Sequence, residues 1–119
     1  HVDWDARQSV TVTTLDTLIA EHGRPDYIKI DVEGHEASVL DGLSQPITLI
    51  SVEYLPAFPQ LSHVVIDRLC VLGPYRFNAV EGETGRYLWS EWKSAEDVKE
   101  WLAMLDAQDL SGDLFARIS

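Results

Sequence analysis

The stretch over residues 28–36, which reads IKIDVEGHE, constrains the fold of this chain more than any other part. It begins with the alternating pattern of a β-strand, and Gly34 separates that strand from a helical pattern. Because alternate side chains of a strand share a face, Lys29, Asp31 and Glu33 point away from the apolar side. A strand that lies between two helical segments is typical of a parallel sheet in an α/β protein.

Composition limits both the size of the protein and the partners it can have. The 119 residues predict one domain over 1–119, and a hydrophobic fraction of 45% suffices for a core. A formal net charge of -11 argues against a nucleic-acid surface or an anionic membrane surface. No apolar run is long enough for a membrane span and no signal peptide is present, so we predict a cytoplasmic protein. The single cysteine, Cys70, excludes an internal disulfide, and its apolar helical surroundings predict a buried thiol.

Hydrophobic periodicity and turn residues predict alternating helices and strands followed by a hairpin. Helices are predicted over 14–22, 36–43, 60–72 and 94–105, and strands over 9–13, 27–33, 48–54, 75–80, 86–92 and 114–118. The loop at 82–85 has hairpin spacing, which makes the two strands beside it antiparallel. The predicted fold class is therefore α/β, with a mostly parallel sheet, an antiparallel hairpin strand near one edge, and helices on both faces.

Carboxylates gather where two predicted neighbouring strands end. Asp31 and Glu33 end the first of these strands, and Glu53 ends the second. Open α/β sheets bind ligands at the carboxyl ends of their parallel strands, so these side chains predict a shared acidic pocket. Such a pocket orients an acceptor hydroxyl or holds a hard divalent cation such as Mg²⁺, although no Cys/His cluster supports a metal. The structural alternative is an ion-pair network in which Lys29 pairs with Glu53.

Gly34 and His35 follow the first of these strands directly. Gly34 permits a sharp turn and the close approach of a ligand to the backbone. His35 is a candidate general base at a helix start, and the alternative is a solvent-facing or capping histidine. Trp89, Trp92 and Trp101 are interpreted as a packing cluster in preference to the wall of an acceptor pocket.

Four motifs stand in order along the first half of the chain: TLD at 14–16, DYIKIDVEGHE at 26–36, VLDG at 39–42 and ISVE at 50–53. Together they resemble the FkbM family of S-adenosylmethionine-dependent methyltransferases. The resemblance implies O-methyl transfer to a small-molecule or sugar acceptor. It also implies that Asp31, Glu33, Glu53 and the candidate base His35 are catalytic, and that Asp31 and Gly34 lie in the cofactor site.

The resemblance further implies a class I methyltransferase fold, whose seven strands have the order 3-2-1-4-5-7-6. The strand over 27–33 would be the fourth strand, 48–54 the fifth, and the hairpin the sixth and the antiparallel seventh. The family builds its cofactor site chiefly on a glycine-rich turn after the first strand and on the acidic end of the second. This sequence has neither and starts at His1. We therefore interpret it as the carboxyl-terminal, acceptor-side piece of a longer enzyme, inactive by itself.

An incomplete sheet would have a further consequence. Without a first strand, the apolar fourth strand becomes an exposed edge, and such edges pair with other chains. A homodimer through this edge is one expectation, and the alternatives are that the predicted strand at 9–13 covers the edge or that the chain is trimmed from a longer one. Two other functions remain open at this stage. One is a non-catalytic interaction module that keeps the sheet, and the other is an acidic metal-binding domain.

Overall fold

The computed structural model describes residues 14–31 and 35–118. Each helix and strand in these ranges corresponds to one that the sequence predicts. The predicted strand at 9–13 lies outside the described residues, as do Glu33 and Gly34. In chain order the elements are α1 (Leu15–His22), β1 (Tyr27–Ile30), α2 (Glu36–Asp41), β2 (Leu49–Tyr54), α3 (Pro59–Leu72), β3 (Arg76–Glu81), α4 (Ala95–Ala103) and β4 (Gly112–Arg117).

Side-chain caps fix the start of two helices. The Thr14 hydroxyl accepts a hydrogen bond from the Thr17 N–H at 3.1 Å, which begins α1. The Ser94 hydroxyl accepts from the Asp97 N–H at 3.2 Å, which begins α4. Each cap satisfies a backbone donor that the helix itself leaves without a partner. Residues of the local sequence therefore mark these two boundaries.

The sheet is mixed, and the prediction of a mostly parallel sheet is wrong. Its strand order is β1-β2-β4-β3. β1 and β2 pair in parallel, whereas β4 pairs antiparallel with both β2 and β3. The physical reason is that the chain returns after α4 and inserts its last strand between β2 and β3. The prediction of an antiparallel strand near one edge is confirmed, because β4 lies next to the edge strand β3.

The predicted hairpin strand at 86–92 is wrong. This segment follows the free edge of β3, but only Phe77 and Lys93 form a bridge, with one further bond from the Leu88 N–H to the Ala79 carbonyl at 2.8 Å. These two contacts are two residues apart on β3 but five residues apart on the segment, so a regular ladder cannot form. The buried Asn78 side chain replaces the missing ladder, donating to the Trp89 carbonyl at 2.9 Å and accepting from its N–H at 3.2 Å.

One face of the sheet forms the core, and the buried apolar residues of all four described helices belong to that same core. Helices on both faces are therefore not seen in the described part of the chain. The opposite face carries exposed Lys29, Glu53 and Arg117 and is partly covered by aromatic rings. The core side of the sheet consists of Ile28, Ile30, Ile50, Val52, Tyr54, Phe77, Ala79, Leu114 and Ala116.

α3 is the longest described helix, and it turns one stripe of residues to the core. Val65, Ile66 and Leu69 are buried on that stripe. Cys70 lies beside the stripe and is exposed, so the prediction of a buried thiol is wrong. No helix in residues 14–31 and 35–118 has both the length and the apolar character needed to cross a membrane.

Candidate active site

The structure brings two of the predicted site residues to one end of the sheet. Asp31 follows directly after β1 and is half-buried, and Glu53 lies near the end of β2 and is exposed. Because β1 and β2 are parallel neighbours, their carboxyl ends meet at the same edge. Strand alternation places both side chains on the face opposite the core.

A third carboxylate, which the sequence interpretation missed, completes this group. Asp113 on β4 is the direct cross-strand partner of Glu53. Side chains in such positions have Cβ atoms about 5 Å apart, and like charges there destabilise the sheet. Asp113 is also close enough to Asp31 for that charge to affect its ionisation. We call Asp31, Glu53 and Asp113 the acidic edge.

Burial is the main influence on the ionisation of Asp113. Desolvation raises the pKa of Asp113 above its ordinary value, the positive charge of Lys29 lowers it, and the negative charge of Asp31 raises it. Lys29 itself makes no ion pair among the described residues, so the structural alternative of a Lys29–Glu53 pair is not seen there. Lys29 acts on the acidic edge as a nearby positive charge.

Below the acidic edge, Tyr54 and Gly112 fit closely together. A Cβ atom at Gly112 would lie 2.8 Å from the Tyr54 hydroxyl oxygen and 2.0 Å from the Val80 carbonyl oxygen. The Tyr54 hydroxyl is buried without a hydrogen-bond partner among the described residues. Burial, followed by the charges of Glu81, Asp113 and Asp109, raises the pKa of Tyr54 to about 12. The phenol therefore stays neutral and supports β4 from the core side.

A small pocket opens beside Glu53. It encloses space for about one water molecule. Glu36, in the first turn of α2, is buried and reaches this pocket, although the sequence interpretation gave it no role. Two glutamates, one serine and three aliphatic residues therefore line this pocket. Its lining residues are Glu36, Glu53, Leu55, Leu61, Ser62 and Val65.

Among the remaining predicted site residues, only His35 lies in the described part of the chain. His35 is exposed at the start of α2, and its side chain makes no capping hydrogen bond. The solvent-facing alternative for His35 thus describes its position, while its role as a base stays a prediction. Glu33 and Gly34 lie outside the described residues, so their roles also stay predictions. Among the described residues, no group of three or more His, Cys, Asp or Glu side chains is arranged to hold a metal ion.

The tryptophans divide into two groups. Trp89 and Trp101 meet edge-on with ring centroids 5.0 Å apart, and Trp101 also meets Tyr54 at 5.2 Å. This is the packing cluster that the sequence predicts. Trp92 lies elsewhere, edge-on to Tyr87 and beneath the guanidinium of Arg117. None of the three lines the pocket beside Glu53.

We expect the raised pKa of Asp113 to appear in the pH dependence of stability. A raised folded-state pKa means that the native state binds the proton more tightly than the unfolded state. The stabilisation is complete below the unfolded pKa and is lost as the pH rises through the folded pKa. Asp113→Asn should therefore increase the free energy of unfolding at neutral pH.

Urea unfolding of the unaltered protein and of Asp113→Asn at pH 7 and pH 3 measures this effect. The gain from the substitution should disappear at pH 3. As a second test, Lys29→Met should raise the pKa of Asp113 further, as followed by carboxyl ¹³C NMR. A pKa of Asp113 at or below its ordinary value would show that burial does not dominate at this position.

The fold is that of an α/β domain, and the acidic edge is a candidate ligand site at the carboxyl ends of its parallel strands. The family model described as the methyltransferase FkbM domain matches residues 2–109. The chain therefore belongs to the FkbM methyltransferase family, as its motifs indicate. Comparison with curated proteins and with solved structures finds no match.

Proposed function

We propose that this chain forms the acceptor side of an S-adenosylmethionine-dependent O-methyltransferase. The observation that carries the proposal is the acidic edge, in which Asp31, Glu53 and Asp113 come together at the carboxyl ends of β1 and β2. This is the position at which open α/β sheets bind their ligands. Membership of the FkbM family supports methyl transfer as the reaction.

The strand order also supports a class I methyltransferase fold. The observed order β1-β2-β4-β3, with β4 antiparallel, is the order 4-5-7-6 in the class I sheet. β1 and β2 then correspond to the fourth and fifth strands, as the motifs imply. The sixth strand is β3 and the seventh is β4, which replaces the hairpin strand predicted at 86–92.

The described residues fit one wall of a cofactor site. S-adenosylmethionine, when bound, supplies a methyl group on a positively charged sulfonium. Asp31 stands at the end of β1, where a carboxylate can accept hydrogen bonds from a ligand or face a positive charge. The sequence contains no glycine-rich turn that would hold the rest of the cofactor. We therefore assign this chain one wall of the pocket and propose that a longer polypeptide supplies the others.

Within this chain, the chemistry required is the orientation and deprotonation of an acceptor hydroxyl. We propose that a carboxylate oxygen of Asp113 accepts the proton of the acceptor hydroxyl. The raised pKa of Asp113 makes it a better base than an ordinary aspartate. Glu53, directly opposite, is placed to accept a hydrogen bond from the same hydroxyl. Lys29 offsets part of the negative charge.

We propose a small-molecule or sugar acceptor that carries a hydroxyl group, as the family resemblance implies. The pocket beside Glu53 has space for about one water molecule, so it does not itself hold the acceptor. No metal takes part in the proposal. A cytoplasmic location belongs to the proposal as well.

A non-catalytic interaction module is the second candidate, and one observation favours it. In the described part of the chain, β1 pairs with β2 alone and so ends the sheet. Free strand edges pair with other chains, so a homodimer through β1 remains part of this alternative.

Calorimetric titration with S-adenosylmethionine tests the proposed cofactor wall. We expect binding by the full-length gene product and weak or no binding by the 119-residue chain. Asp31→Asn in the full-length protein should weaken binding about tenfold, which corresponds to about 1.4 kcal/mol. The matched control is Asp26→Asn, which removes an exposed carboxylate before β1 and should leave the affinity unchanged. Binding by neither protein would favour the interaction module.

A further inference from the structure

Two arginines face each other at the end of the sheet opposite the acidic edge. Arg76 begins β3, Arg117 ends β4, and the two residues are direct cross-strand partners. Both are exposed and lie on the face of the sheet away from the core. Like charges in such positions destabilise a sheet. This pairing is unexpected in a protein with 20 acidic and 9 basic residues, where acidic neighbours are abundant.

Trp92 contacts the guanidinium groups of both arginines. The Arg117 guanidinium carbon lies 4.0 Å from the centre of the Trp92 ring, within the range of a cation–π contact. An Arg76 Nη atom donates a hydrogen bond to the Trp92 carbonyl at 3.2 Å. Two flexible side chains are thus positioned by one residue, which reduces the entropy that each would lose on binding a ligand.

Neither guanidinium is neutralised by a carboxylate within residues 14–31 and 35–118. The ion pairs of arginine and lysine found there join Arg68 to Asp41 and Lys99 to Asp67. A structural role in holding the segment at 86–93 against the sheet requires only the ring contact of Arg117. It does not account for a second positive charge placed directly opposite. A bound anion does, because it turns the repulsion between the two arginines into two attractions.

We propose that Arg76 and Arg117, positioned by Trp92, form a binding site for a phosphoryl group. A phosphoryl dianion matches the charge of two guanidinium groups, and its oxygens match their paired N–H donors. The Trp92 ring, which packs edge-on against Tyr87, covers one side of the Arg117 guanidinium and so restricts the directions from which the anion approaches. The ligand class is therefore a small molecule that carries a phosphate or diphosphate.

This site is separate from the acidic edge. Arg117 lies four residues along β4 from Asp113, a distance of about 13 Å at the usual rise of an antiparallel strand. The proposal does not depend on methyl transfer, because binding of the anion is measured without cofactor or turnover. Failure of one proposal is therefore distinguishable from failure of the other.

Titration with sodium pyrophosphate at constant ionic strength tests the site. The probe is the Trp92 indole signal in ¹H–¹⁵N NMR spectra of the 119-residue chain. We expect a saturable shift, and Arg76→Gln and Arg117→Gln should each weaken binding about tenfold. Arg86→Gln is the matched control, because it removes an exposed arginine from the segment between β3 and α4, which also carries Trp92. It should change the affinity less than about twofold.

Two further variants and one competing anion complete the test. Arg76→Lys and Arg117→Lys keep the charge but lose the planar fork, so each should bind more weakly than the unaltered protein. These variants also cover the case in which a glutamine variant fails to fold. Citrate binding as tight as that of pyrophosphate would overturn the phosphoryl assignment. An unsaturable shift, or an equal loss in Arg86→Gln, would show general charge attraction and overturn the site.

Discussion

Gly112→Ala is expected to lower the free energy of unfolding by about 3 kcal/mol. The added Cβ atom would lie 2.0 Å from the Val80 carbonyl oxygen and within 2.9 Å of two atoms of the Tyr54 ring and hydroxyl. The Val80 oxygen belongs to the backbone of β3, and Tyr54 is fully buried. Neither can move without a shift of β4, so the sheet itself must deform.

The deformation would also reach the candidate active site. Gly112 directly precedes Asp113, and its contact with Tyr54 sets where β4 begins relative to β2. A shift at this point separates Asp113 from Glu53. We therefore expect Gly112→Ala to affect ligand binding at the acidic edge as well as stability.

Urea unfolding followed by tryptophan fluorescence measures the effect, since Trp101 packs against Tyr54. Gly85→Ala is the matched control. Gly85 has a φ of 72° and open space where a Cβ would lie, so its substitution costs only backbone strain of about 1 kcal/mol. Equal losses in the two variants would show that β4 adjusts to the added methyl group and that the close packing at Gly112 does not limit the fold.

Local pattern was sufficient to predict the position of each described helix and strand. Alternating apolar residues indicate β1 and β2, and the capping hydroxyls of Thr14 and Ser94 indicate where α1 and α4 begin. The order of strands was harder to predict. The local sequence of β4 does not indicate that this strand inserts between β2 and β3, because its position depends on long-range strand pairing.

The segment at 86–92 shows how a side chain can override a strand pattern. Its aromatic and apolar residues favour a strand, and it does run beside β3. The buried side-chain amide of Asn78 forms hydrogen bonds with the backbone N–H and carbonyl of Trp89, so these groups do not need the backbone of β3 as a partner. A buried asparagine in the middle of a predicted strand is the signal that could have indicated this interruption.

The candidate site was predicted in part. Asp31 and Glu53 were found because they end parallel strands, a position that sequence alternation reveals. Asp113 was missed because it begins an antiparallel strand, and its closeness to Glu53 arises only when β4 pairs with β2. Glu36 was missed as a pocket residue because a glutamate in the first turn of a helix is readily explained by the helix dipole.

Methyl transfer by the longer polypeptide proposed above tests the assignment of the acidic edge most directly. Release of S-adenosylhomocysteine is measured with a panel of sugar, phenol and aliphatic hydroxyl compounds until an acceptor is found. With that acceptor, we expect Asp113→Asn to lower kcat about 100-fold, because the hydroxyl proton then lacks its base. Glu53→Gln should also lower turnover, through a poorly oriented hydroxyl.

The readouts separate catalysis from folding. Asp113→Asn is expected to be at least as stable as the unaltered protein at neutral pH, since it removes a carboxylate that burial disfavours. Asp26→Asn should keep full activity, because it removes an exposed carboxylate distant from the end of β1. The account predicts a folded, stable and nearly inactive Asp113→Asn protein. An Asp113→Asn and a Glu53→Gln protein that both turn over as fast as the unaltered enzyme would contradict it.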